Sequence, residues 1–397
     1  MHPKTTFPLT RQHAQTQLTD FVAHAGQDYA ANRNFDKGAS RHRFVSCLSP
    51  AIRRRLIAEE EVITAVLKRR EYAEAEKFIA EVYWRTYWKG WLEQHPTVWH
   101  SFKAQAEEGR AALAAQPTLT AIYTEAINGR TGIDCFDYWQ RELVETGYLH
   151  NWARMQFASI WIFTLRLPWA LGAEFTLKHF LDADPASNTL SWRWVAGLHT
   201  AGKFYLADGD KIQRMTLGRF NPNGLAKTAD AFLSEPKAPA VRPREPRPWN
   251  RDKPLAILLT PEDLSLETVP DLHSAKVKCV IAPRNLFQTD ADRTAGQDAM
   301  ERAAVHWDCE ANWVTDLEAA SLAARDAGVT QLVTGFLPVG TVAENMENWA
   351  QTLPQSSLHL GEVQRQWDQV TWPHCAKGFF QLKAKISQLI ASLGLDR

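Results

Sequence analysis

The chain has 397 residues, 45% of them hydrophobic, and its 45 basic side chains balance 45 acidic ones, giving a formal net charge of zero. This length is sufficient for two or three domains with ordinary hydrophobic cores. The charge balance does not indicate a strongly basic nucleic-acid-binding domain, and it leaves a local basic face open. Five widely spaced cysteines without a Cys-x-x-Cys pair predict reduced thiols, no metal site and a cytoplasmic protein.

No membrane-targeting or membrane-spanning segment is predicted. The N-terminus lacks the basic and then apolar pattern of a secretion signal. The most hydrophobic stretch, residues 155–171, contains Arg166 and Pro168 and is too short to span a bilayer comfortably. We therefore expect a soluble protein without a membrane partner. The oligomeric state is left open, with a monomer expected.

The first part of the chain is predicted to be helical. From Thr10 to about Leu233, apolar residues recur at three- and four-residue spacing. Ser49 and Pro50 have the pattern of a helix start, with proline at the first helical position. The clearest predicted helices cover residues 57–67, 73–92, 136–149 and 151–164.

A proline-rich stretch separates the helical part of the chain from a part with a different sequence pattern. Six prolines lie between Pro236 and Pro254, and they alternate with charged residues, which predicts an extended linker. The sequence thus predicts a multi-domain chain. A helical domain covers residues 1–235, a linker covers 236–254, and a smaller α/β domain covers 255–397.

Short apolar runs follow the linker. They cover residues 255–259, 277–281 and 331–334, and they alternate with helical patterns at 295–306 and 317–327. This alternation predicts a Rossmann-like layer structure with a parallel sheet.

Polar residues and tryptophans are concentrated between residues 129 and 194. The chain there reads, in order, Gly-Arg-Thr-Gly from Gly129, Tyr-Leu-His-Asn-Trp-Ala-Arg-Met from Tyr148, Asp182-Ala-Asp184, Asn188 and Trp192-Arg-Trp194. Upstream, Phe78-Ile-Ala-Glu-Val-Tyr-Trp-Arg places a carboxylate, an indole and a guanidinium on adjacent turns of one helix face. Over roughly residues 29–222, these motifs resemble the flavin-binding domain of the photolyase and cryptochrome family.

The resemblance implies that the helical domain is an all-α, photolyase-like domain that binds FAD. Ser40 and Arg41 match the positions around the FAD phosphates, and Arg43 adds a guanidinium, a group that pairs well with phosphate. Asp182 and Asp184 match an acidic pair that needs hydrogen-bond donors around it. The implied FAD-binding residues are Tyr29, Ser40, Arg41, Arg43, Arg85, Asn151, Arg154, Asp182, Asp184 and Asn188.

The resemblance also implies a lyase that uses blue light to repair cyclobutane pyrimidine dimers in DNA. Asn151 and Met155 are the residue types of cyclobutane-dimer photolyases, whereas (6-4) photolyases carry histidines there. Asn188 matches the position facing flavin N5, where plant cryptochromes carry aspartate. The implied substrate-binding residues are Arg33, Glu81, Trp84, Asn151, Met155 and Trp194, and the implied catalytic residues are Glu81, Asn188, Trp192 and Trp169.

Trp192 and Trp169 match the proximal and middle positions, respectively, of the family's electron relay. The distal position, around residues 116–126, has no tryptophan, so Tyr123 or Trp139 is a candidate for that role. In the family, an α/β antenna domain usually precedes the flavin domain. The order here indicates a circular permutation, and any antenna chromophore is left open.

Two other functions stay open at this stage. A cryptochrome-like photoreceptor without repair activity is favoured by the modest charge, the missing distal tryptophan and an insertion at Gly197–Met215. A flavoprotein that acts in the dark is the third alternative. Taken alone, Glu81, Trp84 and Arg85 are also explained by a surface ion pair and a core tryptophan.

Overall fold

A computed structural model describes residues 7–39, 42–200, 202–229, 235 and 238–396. This part of the chain is helix-rich and contains one five-stranded sheet. The α-helices are α1 (Arg11–Val22), α2 (Gln27–Asn32), α3 (Ser49–Arg53), α4 (Glu59–Leu67), α5 (Tyr72–Gln94), α6 (Thr97–Ala115), α7 (Pro117–Ile127), α8 (Asp134–Thr146), α9 (Asn151–Ser159), α10 (Trp169–His179), α11 (Pro185–Val195), α12 (Gly209–Met215), α13 (Asp290–Trp307), α14 (Leu317–Asp326), α15 (Thr341–Thr352), α16 (Gln366–Thr371), α17 (Phe379–Lys383) and α18 (Ile386–Ser392). The strands are β1 (Leu255–Leu258), β2 (Val277–Pro283), β3 (Glu310–Val314), β4 (Gln331–Gly335) and β5 (His359–Val363), and a π-helix covers Ile160–Thr164.

The predicted helices are confirmed. Their periodic patterns correspond to α4, α5, α8, α9, α13 and α14. The pattern at residues 151–164 continues from α9 into the π-helix, where each turn holds more residues than an α-helical turn. Ser49 and Pro50 begin α3, as the helix-start pattern predicts.

The parallel sheet is also confirmed, with the strand order β3-β2-β1-β4-β5 and parallel pairing throughout. The predicted apolar runs are β1, β2 and β4, the three inner strands. The two edge strands were not predicted. β3 is mostly half-buried or exposed, and β5 includes a glycine and a glutamate, so neither reads as an apolar run.

The described chain divides into two compact units. Unit 1 includes Gln27–Cys47 and His95–Ala240, and unit 2 consists of Phe7–Gly26, Leu48–Gln94 and Val241–Arg397. These units differ from the predicted domains, because α1, α3, α4 and α5 pack with the C-terminal part of the chain. The segment after residue 240 also belongs to unit 2.

Helix α5 explains why the early helices belong to unit 2. The ring of Tyr83 packs on Trp367 with 4.7 Å between centroids, and the Trp367 indole N–H donates to the Thr86 hydroxyl at 2.9 Å. The next residue of α5 after Tyr83, Trp84, stacks on Phe379 with 3.7 Å between centroids and 13° between planes. The helical period predicts α5, but it does not identify these partners on α16 and α17.

A buried ion cluster lies in the core of unit 2. Arg365 donates to both carboxylate oxygens of Asp263 at 2.6 and 2.8 Å, and Arg55 donates to both oxygens of Asp368 at 2.7 Å. All four side chains are buried. Burial alone would raise the pKa of Asp263, but the guanidiniums of Arg365 and Arg55 lower it below its usual value.

The proline-rich segment is tied to the sheet of unit 2. Arg244 and Arg247 form ion pairs with Glu362 of β5 at 2.5 and 3.1 Å, and the carboxylate of Glu362 is fully buried. The Glu362 backbone N–H donates to the Arg247 carbonyl at 2.8 Å. Two arginines compensate the desolvation of this carboxylate, which fixes the extended segment along the strand.

Candidate functional site

The predicted site residues are distributed over the two units. Glu81, Trp84 and Arg85 lie on α5 in unit 2, and Ser40 and Arg41 lie outside the described residues. The others belong to unit 1: Tyr29, Arg33, Arg43, Asn151, Arg154, Met155, Trp169, Asp182, Asp184, Asn188, Trp192 and Trp194.

The structure brings together Asp182 and Arg154 in unit 1. Arg154, on α9, donates through Nη1 to both Asp182 oxygens at 3.3 and 3.0 Å and through Nε to the Leu149 carbonyl at 3.0 Å. Its guanidinium lies 3.8 Å from the centroid of the Phe180 ring. These contacts fix the orientation of the arginine and leave Nη2 without a partner among the described residues.

Asp184 forms the N-terminal cap of α11. Its carboxylate accepts from the backbone N–H groups of Ala186 and Ser187 at 3.0 and 3.2 Å and from the Ser187 hydroxyl at 3.1 Å. Aspartate at the cap followed by Pro185 at the first helical position is a favoured helix start. The acidic pair therefore has the hydrogen-bond donors that the sequence argument required.

Asn188 and Trp192 are connected through a threonine that the sequence analysis did not single out. The Trp192 indole N–H donates to the Thr176 hydroxyl at 2.9 Å, and that hydroxyl donates to Oδ1 of Asn188 at 2.8 Å. Nδ2 of Asn188 donates to the Ala173 carbonyl at 2.8 Å. These bonds assign the orientation of the amide and leave one Nδ2 hydrogen for another acceptor. Thr176 lies in no recognisable motif.

The remaining predicted residues of unit 1 lie on α9 and in the segment around α2. Asn151, the first residue of α9, is exposed, and Met155 is half-buried one turn later. Directly after α2, the Arg33 guanidinium lies 5.9 Å from the ring centroid of Tyr29, a residue of that helix. The Arg43 guanidinium lies 5.9 Å from the ring of the neighbouring Phe44. The roles of these residues in binding stay predictions.

The insertion at residues 197–215 packs on Trp194. Its residue Tyr205 lies with its ring centroid 5.5 Å from that of Trp194, at 36° between planes. The Tyr205 hydroxyl accepts from Nε2 of Gln156 at 2.6 Å, and its backbone N–H donates to the Val195 carbonyl at 3.1 Å. The indole predicted to stack on a base therefore already contacts an aromatic ring of its own unit.

The side chains of Glu81, Trp84 and Arg85 are all half-buried on α5. Their spacing places them on adjacent turns, as predicted. One ring face of Trp84 is covered by Phe379 within unit 2. Both tryptophans that are predicted to stack on bases, Trp84 and Trp194, therefore already pack against an aromatic ring of their own unit.

Trp169 borders a cavity of about 730 Å³ in unit 1. Its indole N–H donates to Oε1 of Gln105 at 2.8 Å. Gln116 and Leu119, near the place where the family carries its distal tryptophan, also line this cavity. The structure thus has a cavity rather than an aromatic ring next to Trp169 on this side, among the described residues.

Residues 78–231 match the family model described as the FAD binding domain of DNA photolyase. The resemblance to the photolyase and cryptochrome family is thus confirmed over this part of the chain. FAD is accordingly the cofactor of this domain.

Several curated members of the family are similar to this chain. The deoxyribodipyrimidine photo-lyase of Vibrio cholerae is 23% identical over 258 residues, covering 59% of this chain and 53% of that protein. The Alkalihalophilus pseudofirmus protein of the same name is 26% identical over 245 residues, covering 57% and 48%. Cryptochrome-1 of Arabidopsis thaliana is 35% identical over 97 residues, covering 24% and 14%. The chain spans about half the length of the photo-lyases it matches.

Two solved structures are similar over about half of this chain. A class III photolyase from Agrobacterium tumefaciens is 24% identical with a TM-score of 0.41, covering 52% of this chain and 44% of that one. A cryptochrome from Synechocystis is 20% identical with a TM-score of 0.40, covering 52% and 43%.

The chemistry of unit 1 fits FAD. Three buried polar atoms on α9 and α11 lack a hydrogen-bond partner among the described residues: Nε1 of Trp152, Oε1 of Gln156 and Oγ1 of Thr189. Buried polar groups in proteins normally have partners, so such atoms indicate a polar ligand or water. Arg154, Asp182 and Asn188 would hold the cofactor through charged and amide hydrogen bonds.

No helix in the described part of the chain is both long enough and apolar enough to cross a bilayer.

Replacing Asp182 with alanine should weaken FAD binding, because Arg154 then loses the carboxylate that orients it. The loss of a charged hydrogen-bonded pair costs about 1–3 kcal/mol, which corresponds to a dissociation constant raised on the order of tenfold. The FAD-to-protein ratio after desalting and a fluorescence titration measure this change. Asp210→Ala on α12, whose side chain is exposed, is the matched control. Equal retention in both variants would contradict the assignment.

Proposed function

We propose that this protein is a blue-light-driven, FAD-dependent lyase that repairs cyclobutane pyrimidine dimers in DNA. When bound and reduced, FAD supplies the electron that splits the dimer after it absorbs light. The observation that carries the proposal is the amide of Asn188. Thr176 and Ala173 hold this amide so that one Nδ2 hydrogen remains to be donated, and an N–H donor favours a negatively charged ring that a carboxylate would repel.

Under this proposal, other side chains hold the substrate. Glu81 hydrogen-bonds the dimer, and Trp84 and Trp194 stack on it. The remaining substrate contacts come from Arg33, Asn151 and Met155. Flipping a damaged base pair out of the duplex costs a few kcal/mol, and stacking on aromatic rings recovers about 1–3 kcal/mol per base. The names of the photo-lyase relatives support this substrate class.

A second candidate is a photoreceptor without repair activity. The observation that favours it is the packing of Trp84 on Phe379 and of Trp194 on Tyr205. To stack on a dimer, Trp84 would have to bind it beside Phe379 or after displacing Phe379. The same holds for Trp194 and Tyr205. In a photoreceptor, these aromatic contacts need not open.

A repair assay with chemically pre-reduced flavin distinguishes the two functions. The full chain is illuminated with single- and double-stranded DNA that contains cyclobutane dimers, and the remaining dimers are counted. Pre-reduction removes any dependence on photoreduction. We expect repair by the wild type and lower repair by Glu81→Gln at unchanged flavin content. Glu74→Gln, an exposed glutamate on the same helix, is the matched control.

Absence of repair by the pre-reduced wild type under illumination would refute the proposal and favour the photoreceptor. Equal repair by Glu81→Gln and wild type would refute the role of Glu81 in substrate binding.

A further inference from the structure

Three aromatic rings in unit 1 form a continuous series from Trp192 to the half-buried Tyr123. The centroids of Trp192 and Trp161 are 6.1 Å apart with 87° between planes. Those of Trp161 and Tyr123 are 5.8 Å apart with 88° between planes. Both are edge-to-face contacts, within the roughly 4.5–7 Å spacing of packed aromatic rings.

The series leads outward from the core. Trp192 and Trp161 are buried at 4% and 0% exposure, whereas Tyr123 on α7 is half-buried. Gly172 makes the close approach feasible, because a Cβ there would lie 2.3 Å from the Trp192 ring and 2.9 Å from that of Trp161. The Trp161 indole N–H donates to the Pro168 carbonyl at 3.0 Å, which fixes the ring.

Trp169, the middle position by resemblance, has different surroundings. Within the described part of the chain, the aromatic ring that contacts it is Phe102, at 5.7 Å between centroids. The Arg193 guanidinium lies 5.8 Å from the Trp169 ring centroid and forms an ion pair with Glu235 at 2.7 Å. A phenylalanine ring is much harder to oxidise than an indole or a phenol, so Phe102 does not extend a relay.

We propose that Trp161 and Tyr123 form the electron relay that supplies Trp192, in place of a route through Trp169. The proposal rests on the light-driven use of FAD described above, but it does not depend on DNA repair. Trp192 gives one electron to the photoexcited oxidised flavin. Trp161 then reduces Trp192, and Tyr123 reduces Trp161.

Tyr123 is the final electron donor of the relay. This residue loses one electron, which ends on the flavin, and its phenolic proton, which passes to water, so that a neutral tyrosyl radical remains. A thiol in solution then returns one hydrogen atom to the phenol. Burial, followed by the Glu174 carboxylate, raises the pKa of Tyr123, so the phenol holds its proton at neutral pH until oxidation.

Electron paramagnetic resonance on the full FAD-loaded chain tests the relay. The flavin is fully oxidised at the start, no DNA is present, and the sample is illuminated without thiol. We expect a tyrosyl radical whose signal narrows when the protein contains ring-deuterated tyrosine. Tyr123→Phe should lose this signal and slow the photoreduction that is followed by flavin absorbance with thiol present.

The Tyr123→Phe variant should fold normally, because the Tyr123 hydroxyl has no hydrogen-bond partner among the described residues. Trp161→Phe should lose the tyrosyl signal as well, with its flavin content and thermal unfolding measured in parallel. Tyr72→Phe, a half-buried tyrosine of unit 2, is the matched control and should retain the signal.

A tyrosyl signal that persists in Tyr123→Phe overturns the proposal. So does a signal that is lost in Trp169→Phe and retained in Trp161→Phe. If Trp161→Phe does not fold, the comparison of Tyr123→Phe with Trp169→Phe decides. A protein that forms the Tyr123 radical but repairs no DNA would support the relay and refute the repair function, so the two proposals fail separately.

Discussion

Replacing Arg365 with methionine is expected to lower the free energy of unfolding of unit 2 by about 3–5 kcal/mol. The substitution leaves the buried carboxylate of Asp263 without its bidentate partner, and Arg55 at 3.6 Å is the remaining cation in the cluster close to it. An unpaired buried charge is strongly destabilising, whereas the methionine preserves most of the volume. Chemical denaturation followed by tryptophan fluorescence measures the effect.

The control for this prediction is Arg242→Met in the same unit. Arg242 also pairs with a carboxylate, that of Glu245 at 3.0 Å, but the two side chains are 87% and 77% exposed. Exposed pairs contribute only about 0–1 kcal/mol. Similar losses in the two variants would show that burial of the Arg365 pair does not matter.

Asp263 makes part of the stability of unit 2 sensitive to acid. Because the folded-state pKa of Asp263 is lowered, the stabilisation it provides is complete above the unfolded-state pKa and disappears as the pH falls through the folded-state pKa. The advantage of the wild type over Arg365→Met should therefore shrink below about pH 4. Denaturation midpoints of both proteins across this range measure it.

Replacing Phe379 with alanine should cost about 3–5 kcal/mol, whereas the same change at Phe380 should stay within about 0.5 kcal/mol. The two residues are neighbours on α17. Phe379 is 4% exposed and stacks on Trp84, while Phe380 is 78% exposed. The pair thus separates the loss of buried packing from any effect of alanine on the helix itself.

Urea denaturation of both variants measures this difference. An equal, small change in the two proteins would mean that Phe379 does not pack as described. The flavin content of both variants should be measured alongside, since it shows whether unit 1 keeps its cofactor when the partner of Trp84 is removed.

Local pattern predicted much of this fold. The helical period identified α5, and the apolar runs identified β1, β2 and β4, because fully buried inner strands contain little polar sequence. The edge strands β3 and β5 were not predicted, because they are partly exposed and therefore contain polar residues that interrupt the apolar pattern. The assignment of α5 to unit 2 was not predictable from the sequence, because it depends on contacts such as the stacking of Trp84 on Phe379, two residues that are far apart in the chain.

The site shows the same limit. Short motifs singled out Arg154, Asp182 and Asp184, but they predicted neither the pairing of Arg154 with Asp182, 28 residues apart, nor the helix cap formed by Asp184. Trp161 belongs to a continuous hydrophobic run, where one more aromatic residue carries no recognisable pattern. Its contacts with Trp192 and Tyr123 depend on the packing of the π-helix, α7 and α11, which no local motif specifies.

Unit 2 consists of segments that are far apart in the chain, so it cannot fold until the last of them has left the ribosome. Thr86 on α5 binds Trp367, which lies 281 residues later. At a synthesis rate of roughly 5–20 residues per second, α5 leaves the ribosome on the order of tens of seconds before this partner exists. During that interval, the aromatic face of the helix is without the surface that buries it in the finished protein. We therefore expect nascent chains to expose this apolar face until Trp367 and Phe379 have been synthesised, and slow codons between α5 and these residues to lengthen the exposure.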